Sequence, residues 1–235
     1  MLIAFHGDAK VKAKYLHRVR LHRKADQLRQ GLGWDPETSK GCAVGCTLNA
    51  YDHSRYPIEL GVPVNLAYAE DHIFECLPKD LAMAWPERFL KAIPVGADLS
   101  LVVDKAVLWM REQDVPPADL PAEDLARSAA LTELFRRLIA GDEPAAAEWR
   151  GIEEAAWAAM DARDAWAAWD AWAERAARDA WAAWAARDAR AERAAWAARD
   201  AWAARDARDA RAAFYAKLSD QIIDIIKASP VRGDK

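Results

Sequence analysis

Along the first 140 residues, apolar positions recur at helical spacing in five places, and the pattern predicts five helices. The first is expected to start at Asp8, a good N-cap, and run to Gly31, with Val11, Tyr15, Val19 and Leu28 on its apolar side beside Leu16 and Leu21. A second begins at Pro63 and carries Leu66, Ala69, Ile73, Phe74 and Leu77 to Pro78. A third spans Asp80 to Ala92 with an interruption near Pro86. The fourth is capped by Asp98 and carries Leu101, Val102, Ala106, Trp109 and Met110, and the fifth spans Pro121 to Ala140 and stops at Gly141. Between Gly31 and Gly61, glycines and prolines mark loops around one short apolar piece, GCAVGCTL.

After Pro144 the pattern changes. From Ile152 to Ser229 the chain has neither glycine nor proline, and up to Phe214 it reads in triplets: Asp or Ala, then Ala, then Trp or Arg. Alanine and arginine are strong helix formers, so the tract is expected to be helical. A period of three does not match the α-helix, however. Each triplet falls about 60° short of a full turn, so the Trp/Arg slot winds around the helix instead of forming one stripe. Three arrangements satisfy this geometry: shorter helices packed on one another, one long helix covered by self-association, or a three-per-turn helix. The last is disfavoured because long 3₁₀ runs are rare. Charge pairs four residues apart, such as Glu174–Arg178, contribute only about 0.2–0.5 kcal/mol each and keep the helix soluble without fixing a fold. A tolerated spacer, produced by triplet expansion in the coding sequence, accounts for the regularity equally well. Beyond it, FYAKLSDQIIDIIK restores an ordinary apolar face with Leu218, Ile222, Ile225 and Ile226.

The fold class is therefore mainly α: a compact helical N-terminal domain (1–143), an Ala-rich repeat segment (144–213) and a C-terminal apolar capping helix (214–229). The formal net charge of −4 argues against bulk nucleic-acid capture and against attraction to anionic membranes. No window approaches a membrane span, and the N-terminus does not read as a signal peptide. Three cysteines do not suggest a disulfide framework, which places the chain in a cytoplasm.

Candidate chemistry centres on two places. Cys42 and Cys46 are four apart, His72 and Cys76 are four apart on a predicted helix, and His53 lies between. Together they offer enough soft or borderline ligands for tetrahedral zinc, although the tight Cys-x2-Cys spacing of zinc modules is missing. The competing reading is that Gly41, Cys42, Gly45 and Cys46 are small residues that let two elements approach, with inert buried thiols. A catalytic cysteine beside His53 would need a lowered pKa. Glu70, Asp71 and Glu75 form a polar cluster with His72, expected to pair with the basic first helix. On that helix Arg18, Arg23 and Lys24 are candidate phosphate contacts. In the repeat, Trp166, Trp169, Trp172, Trp181, Trp184 and Arg187 are candidates for stacking on a nucleotide and contacting its phosphates. No phosphate-binding loop, dinucleotide fingerprint, zinc-protease motif or nucleophile elbow is present.

The blocks KGCAVGCTL (40–48), ELGVP (59–63), EDHIFECLP (70–78) and WPERFLKAIPVGADLS (85–100) together resemble a family of uncharacterised phage and prophage proteins. Members carry this domain before an alanine-rich tract and end on a short apolar helix. Many use four-residue Ser-Ala-Ala-Trp units where this chain uses triplets. The resemblance implies a mobile-element origin, and hence a host-cell cytoplasm, without implying a reaction.

The leading expectation is a non-enzymatic accessory protein that binds and self-assembles as a homo-oligomer. It would sequester a small nucleotide-like ligand or block a host defence protein, with no cofactor. The alternatives are an enzyme centred on the cysteines and histidines, with or without zinc, and a structural spacer or filament former.

Overall fold

The computed structural model describes residues 2–113, 122–152 and 201–232, with the side chains of 201–208 outside the description. The chain is mainly helical, as the periodicity predicts. Asp8 starts α1 (Ala9–Lys24) by accepting the Lys10 backbone N–H on its carboxylate at 2.7 Å. The helix ends at Lys24, short of Gly31, because tertiary pairing claims the next residues. Asp26 turns to a positive φ, the Gln27 carbonyl accepts from Gly41 N–H, and Arg29 N–H donates to the Gly41 carbonyl.

Residues 31–61, which show no periodicity, contain short elements. A two-residue antiparallel pair joins β1 (Trp34–Asp35) to β2 (Lys40–Gly41). Two six-residue helices follow, α2 (Ala43–Leu48) and α3 (Arg55–Leu60). Neither is long enough to display an amphipathic repeat. α4 (Val64–Cys76) and α5 (Lys79–Ala92) lie where the pattern places them. The interruption expected at Pro86 does not occur: Pro86 is inside α5 and buried, as are Ala82, Trp85, Phe89 and Leu90. The backbone donor lost at proline is outweighed there by burial of the surrounding apolar face.

Contacts divide the chain into two compact units, 1–102 with 199–235, and 103–198. In the first unit, α1 and α4 each pack against α2 and α5, and α2 also touches α5. The last helix, α8 (Ala201–Lys227), returns from the end of the sequence to pack on α4 and α5. Tyr215, Leu218, Ile222 and Ile226 form its buried stripe at spacings of three and four. Its exit is fixed by a bridge between Ala97 and Val231 and by the Asp98 N–H, which donates to the Pro230 carbonyl at 2.8 Å. The C-terminal segment thus belongs to the same core as α1–α5. The composition, by contrast, draws its boundaries at 143/144 and 213/214.

The described part of the second unit contains most of α6 (Val102–Gln113), α7 (Ala122–Ile139) and a helical stretch at 146–152. Arg111 ties α6 to α7 by donating to Thr132 Oγ1 at 3.0 Å and to the Ser128 carbonyl at 2.9 Å. Phe135 meets Trp149 edge-on, with ring centroids 5.3 Å apart. Of the triplet tract, 201–213 is helix within α8. Trp166, Trp169, Trp172, Trp181, Trp184 and Arg187 lie outside the described residues. No described helix is long and apolar enough to cross a membrane.

Candidate functional site

Three glycines build the platform beneath the first candidate site. A Cβ at Gly45 would sit 2.0 Å from the Gly33 carbonyl oxygen, and one at Gly41 would sit 2.6 Å from the same atom. A Cβ at Gly33 would in turn meet the Tyr51 ring at 2.7 Å. The GCAVGCT block is therefore a close-packing device, as the small-residue reading holds, with Cys42 and Cys46 both buried. Its compactness also delivers two side chains to α4. Cys42 caps α2, its sulfur accepting the Gly45 N–H at 3.4 Å, and Tyr51 lies across the Gly33 backbone.

Both side chains meet Asp71. Its Oδ2 accepts from the Tyr51 hydroxyl at 3.1 Å and lies 3.1 Å from His53 Nε2. His53 is held in turn by stacking on Tyr68, with centroids 4.2 Å apart and planes 14° apart, and by an edge contact with Tyr51. Asp71 is 7% exposed, and its Oδ1 is buried with no hydrogen-bond partner. The Cys42 sulfur, an Asp71 oxygen and a Glu75 oxygen all lie within 4.8 Å of one another. Glu75 is half-buried and accepts the Gly31 N–H at 2.6 Å.

The electrostatics of this cluster are one-sided. Burial first, and then the charge of Asp71, pushes the Cys42 thiol far above its ordinary range. The Cys46 thiol is pushed up to about 12, mainly by burial. Both shifts run opposite to the lowered pKa that an activated cysteine nucleophile requires. Burial and then Asp71 raise Glu75 to about 7. Glu70, one residue before Asp71, is fully buried and raised to about 8 by burial. The Tyr56 hydroxyl donates to its Oε2, and the Trp85 indole N–H donates to its backbone carbonyl at 2.9 Å.

The expected pairing of Glu70, Asp71 and Glu75 with the basic first helix is not what the structure shows. Among the described residues none of the three forms an ion pair with lysine or arginine. The basic residues of α1 are used elsewhere. Arg20 and Arg23 pair with Glu87 at 2.8 and 3.1 Å, and Lys12 Nζ donates to the Lys91 and Ile93 carbonyls at the end of α5.

Nor do the five cysteines and histidines singled out in the sequence converge on one point. Cys42 and His53 reach Asp71. Cys46 turns its sulfur to the Gly41 carbonyl at 3.4 Å. His72 and Cys76 occupy the next row of α4 and face α8: His72 Nε2 is 2.8 Å from the Tyr215 hydroxyl, and Arg211 Nη2 donates to the Cys76 sulfur at 3.2 Å. Asp71, Glu75 and Tyr51, absent from that set, complete the cluster instead. The signal for the two acids was their spacing of four on α4, which places both carboxylates on one face.

A second site lies on the outer side of α1. An open cleft of about 480 Å³ is lined by Lys14, His17, Arg18 and His22, with Leu21 as its apolar element and Gln27, Ser39 and Asn49 on the far side. Its lining contains no carboxylate. Arg18 is anchored by donating to the Thr47 carbonyl at 2.8 Å, and His22 is 2.7 Å from Gln27 Oε1 and 2.8 Å from Asn49 Oδ1. Lys14 and His17 are exposed. Of the expected phosphate contacts, Arg18 lines this cleft, Arg23 is committed to Glu87, and Lys24 is the exposed last residue of α1.

No protein family, curated protein or solved structure matches this chain.

Proposed function

We propose that this chain is a non-enzymatic binding protein whose ligand carries phosphate, a small nucleotide being the best fit. The observation that carries the reading is the α1 cleft: cationic and imidazole side chains around an apolar element, with no carboxylate in the lining. Its volume of about 480 Å³ falls within the range of small-molecule sites, roughly 300–1,000 Å³. Arg18, held by Thr47, is a fixed donor, while the exposed Lys14, whose ammonium rests against Tyr15 through one long 3.5 Å hydrogen bond, and the exposed His17 can turn to an anion. The exposed Leu21 gives a base or sugar an apolar surface to rest on. Self-association through the triplet tract fits this role, since a Trp/Arg slot repeating every third residue would wind around an α-helix and need covering neighbours. The resemblance of residues 40–100 to phage proteins would imply a mobile-element origin and hence a host-cell cytoplasm, where interference with a host defence signal is one use for such binding.

Isothermal titration of the full chain with ATP, AMP, adenosine and inorganic phosphate tests the reading. Nucleotides should bind more tightly than either adenosine or phosphate alone. The Lys14→Ala/His17→Ala variant should bind at least about tenfold more weakly, a loss of about 1.4 kcal/mol, with its helical circular dichroism unchanged. Nucleotide binding of equal strength in the variant, or none in the parent, refutes the site.

A further inference from the structure

We propose that Cys42, Asp71 and Glu75 form a divalent-cation site suited to zinc, with His53 and Tyr51 positioning Asp71. Three observations converge on it. A thiol and two carboxylates present ligand atoms within 4.8 Å of one another, close enough for one ion to bind all three. The Asp71 carboxylate, on a residue only 7% exposed, spends Oδ2 on Tyr51 and His53, has the Cys42 thiol as a further neighbour, and leaves Oδ1 buried without an N–H or O–H donor. A buried acceptor of this kind is costly unless something binds it. Finally, two acids and a thiol are packed together while, among the described residues, no lysine or arginine pairs with either acid. A dication answers all three at once.

The donor set also selects the ion. A thiolate with two carboxylates is too soft for magnesium or calcium and suits zinc or cobalt(II), leaving a fourth position for water. His53 Nε2 and the Tyr51 hydroxyl would stay on Asp71 Oδ2, the outer-shell arrangement that fixes a metal-binding carboxylate. On binding, the Cys42 S–H bond breaks, the sulfur lone pair passes to the metal, and the proton leaves to solvent. The site differs from the set suggested by cysteine and histidine spacing: Cys46, His72 and Cys76 take no part, and α4 supplies acids in place of His72 and Cys76.

Cobalt(II) titration of the full-length chain tests this, because a sulfur-to-cobalt charge-transfer band in the near ultraviolet appears only when a thiolate binds the ion. One equivalent of cobalt should produce the band, and zinc should displace it. Cys42→Ser should abolish the band, while Cys46→Ser and Cys76→Ser should keep it. Glu75→Gln, at a half-buried position that leaves the core intact, should keep the band but weaken cobalt binding at least tenfold. A band absent from the parent chain overturns the proposal. So does one that survives Cys42→Ser or disappears with Cys76→Ser, and so does Glu75→Gln binding with parental affinity.

Discussion

Replacing Glu70 with glutamine should change how stability depends on pH, and the size of the change follows from where Glu70 sits. It is fully buried on α4, receives one hydrogen bond from Tyr56, and keeps Oε1 without a partner. Burial raises its carboxyl from an ordinary 4.5 to about 8. The folded chain therefore holds this proton more tightly than the unfolded chain does. The resulting stability is complete below pH 4.5 and is lost as pH rises through the window up to about 8. At about 1.4 kcal/mol per tenfold, the portion falling between pH 5 and pH 8 is about 3 kcal/mol. Glutamine fills the same volume and accepts from Tyr56 but does not titrate. Urea unfolding followed by circular dichroism, in chelator-containing buffer at pH 5 and pH 8, measures the difference. The stability of Glu70→Gln minus that of the parent should rise by about 3 kcal/mol between the two pH values, whatever its offset at pH 5. A difference that stays flat refutes the assignment of a neutral buried carboxyl.

Other perturbations follow from the same packing. Gly45→Ala places a methyl 2.0 Å from the Gly33 carbonyl, so backbone must move; urea unfolding should show a loss of at least about 2 kcal/mol despite the better helix former. Leu218→Ala empties a fully buried position where α8 joins the first unit and should cost about 2–5 kcal/mol in the same assay. Glu87→Ala removes both the Arg20 and the Arg23 pairs, yet these arginines are about half exposed, so the loss should stay below about 1 kcal/mol and shrink further in high salt.

What was legible in the sequence was whatever repeats. α4, α5 and α7 follow apolar positions spaced three and four apart, and Asp8 marks the start of α1 because an N-cap is a local event that one side chain decides. The end of α1 was not legible. Residues 25–30 read as more helix, and only the pairing of Gln27 and Arg29 with Gly41, made across the fold, draws them out of it. α2 and α3 were hidden for a different reason: six residues make fewer than two turns, too short for a period to appear. The C-terminal helix showed its apolar stripe plainly, but its destination depends on which surface α4 and α5 leave uncovered. No local pattern encodes that.

The candidate site shows the same limit at the scale of one helix. On α4, Asp71 and Glu75 form one row and His72 and Cys76 the next, about 100° around the axis. Reading by ligand type favours the second row, because histidine and cysteine are the familiar metal donors. Tertiary structure decides otherwise: α8 brings Tyr215 and Arg211 to the second row, while the glycine-packed block carries Cys42 to the first. The discriminating residues are Gly33, Gly41 and Gly45, which have no ligand chemistry at all. By letting the backbone of residues 33–45 close on itself, they set the distance between a thiol on one element and two carboxylates on another. A site assembled this way is specified by the absence of side chains as much as by their presence. Any substitution that widens the block should therefore separate Cys42 from Asp71 before it unfolds the bundle.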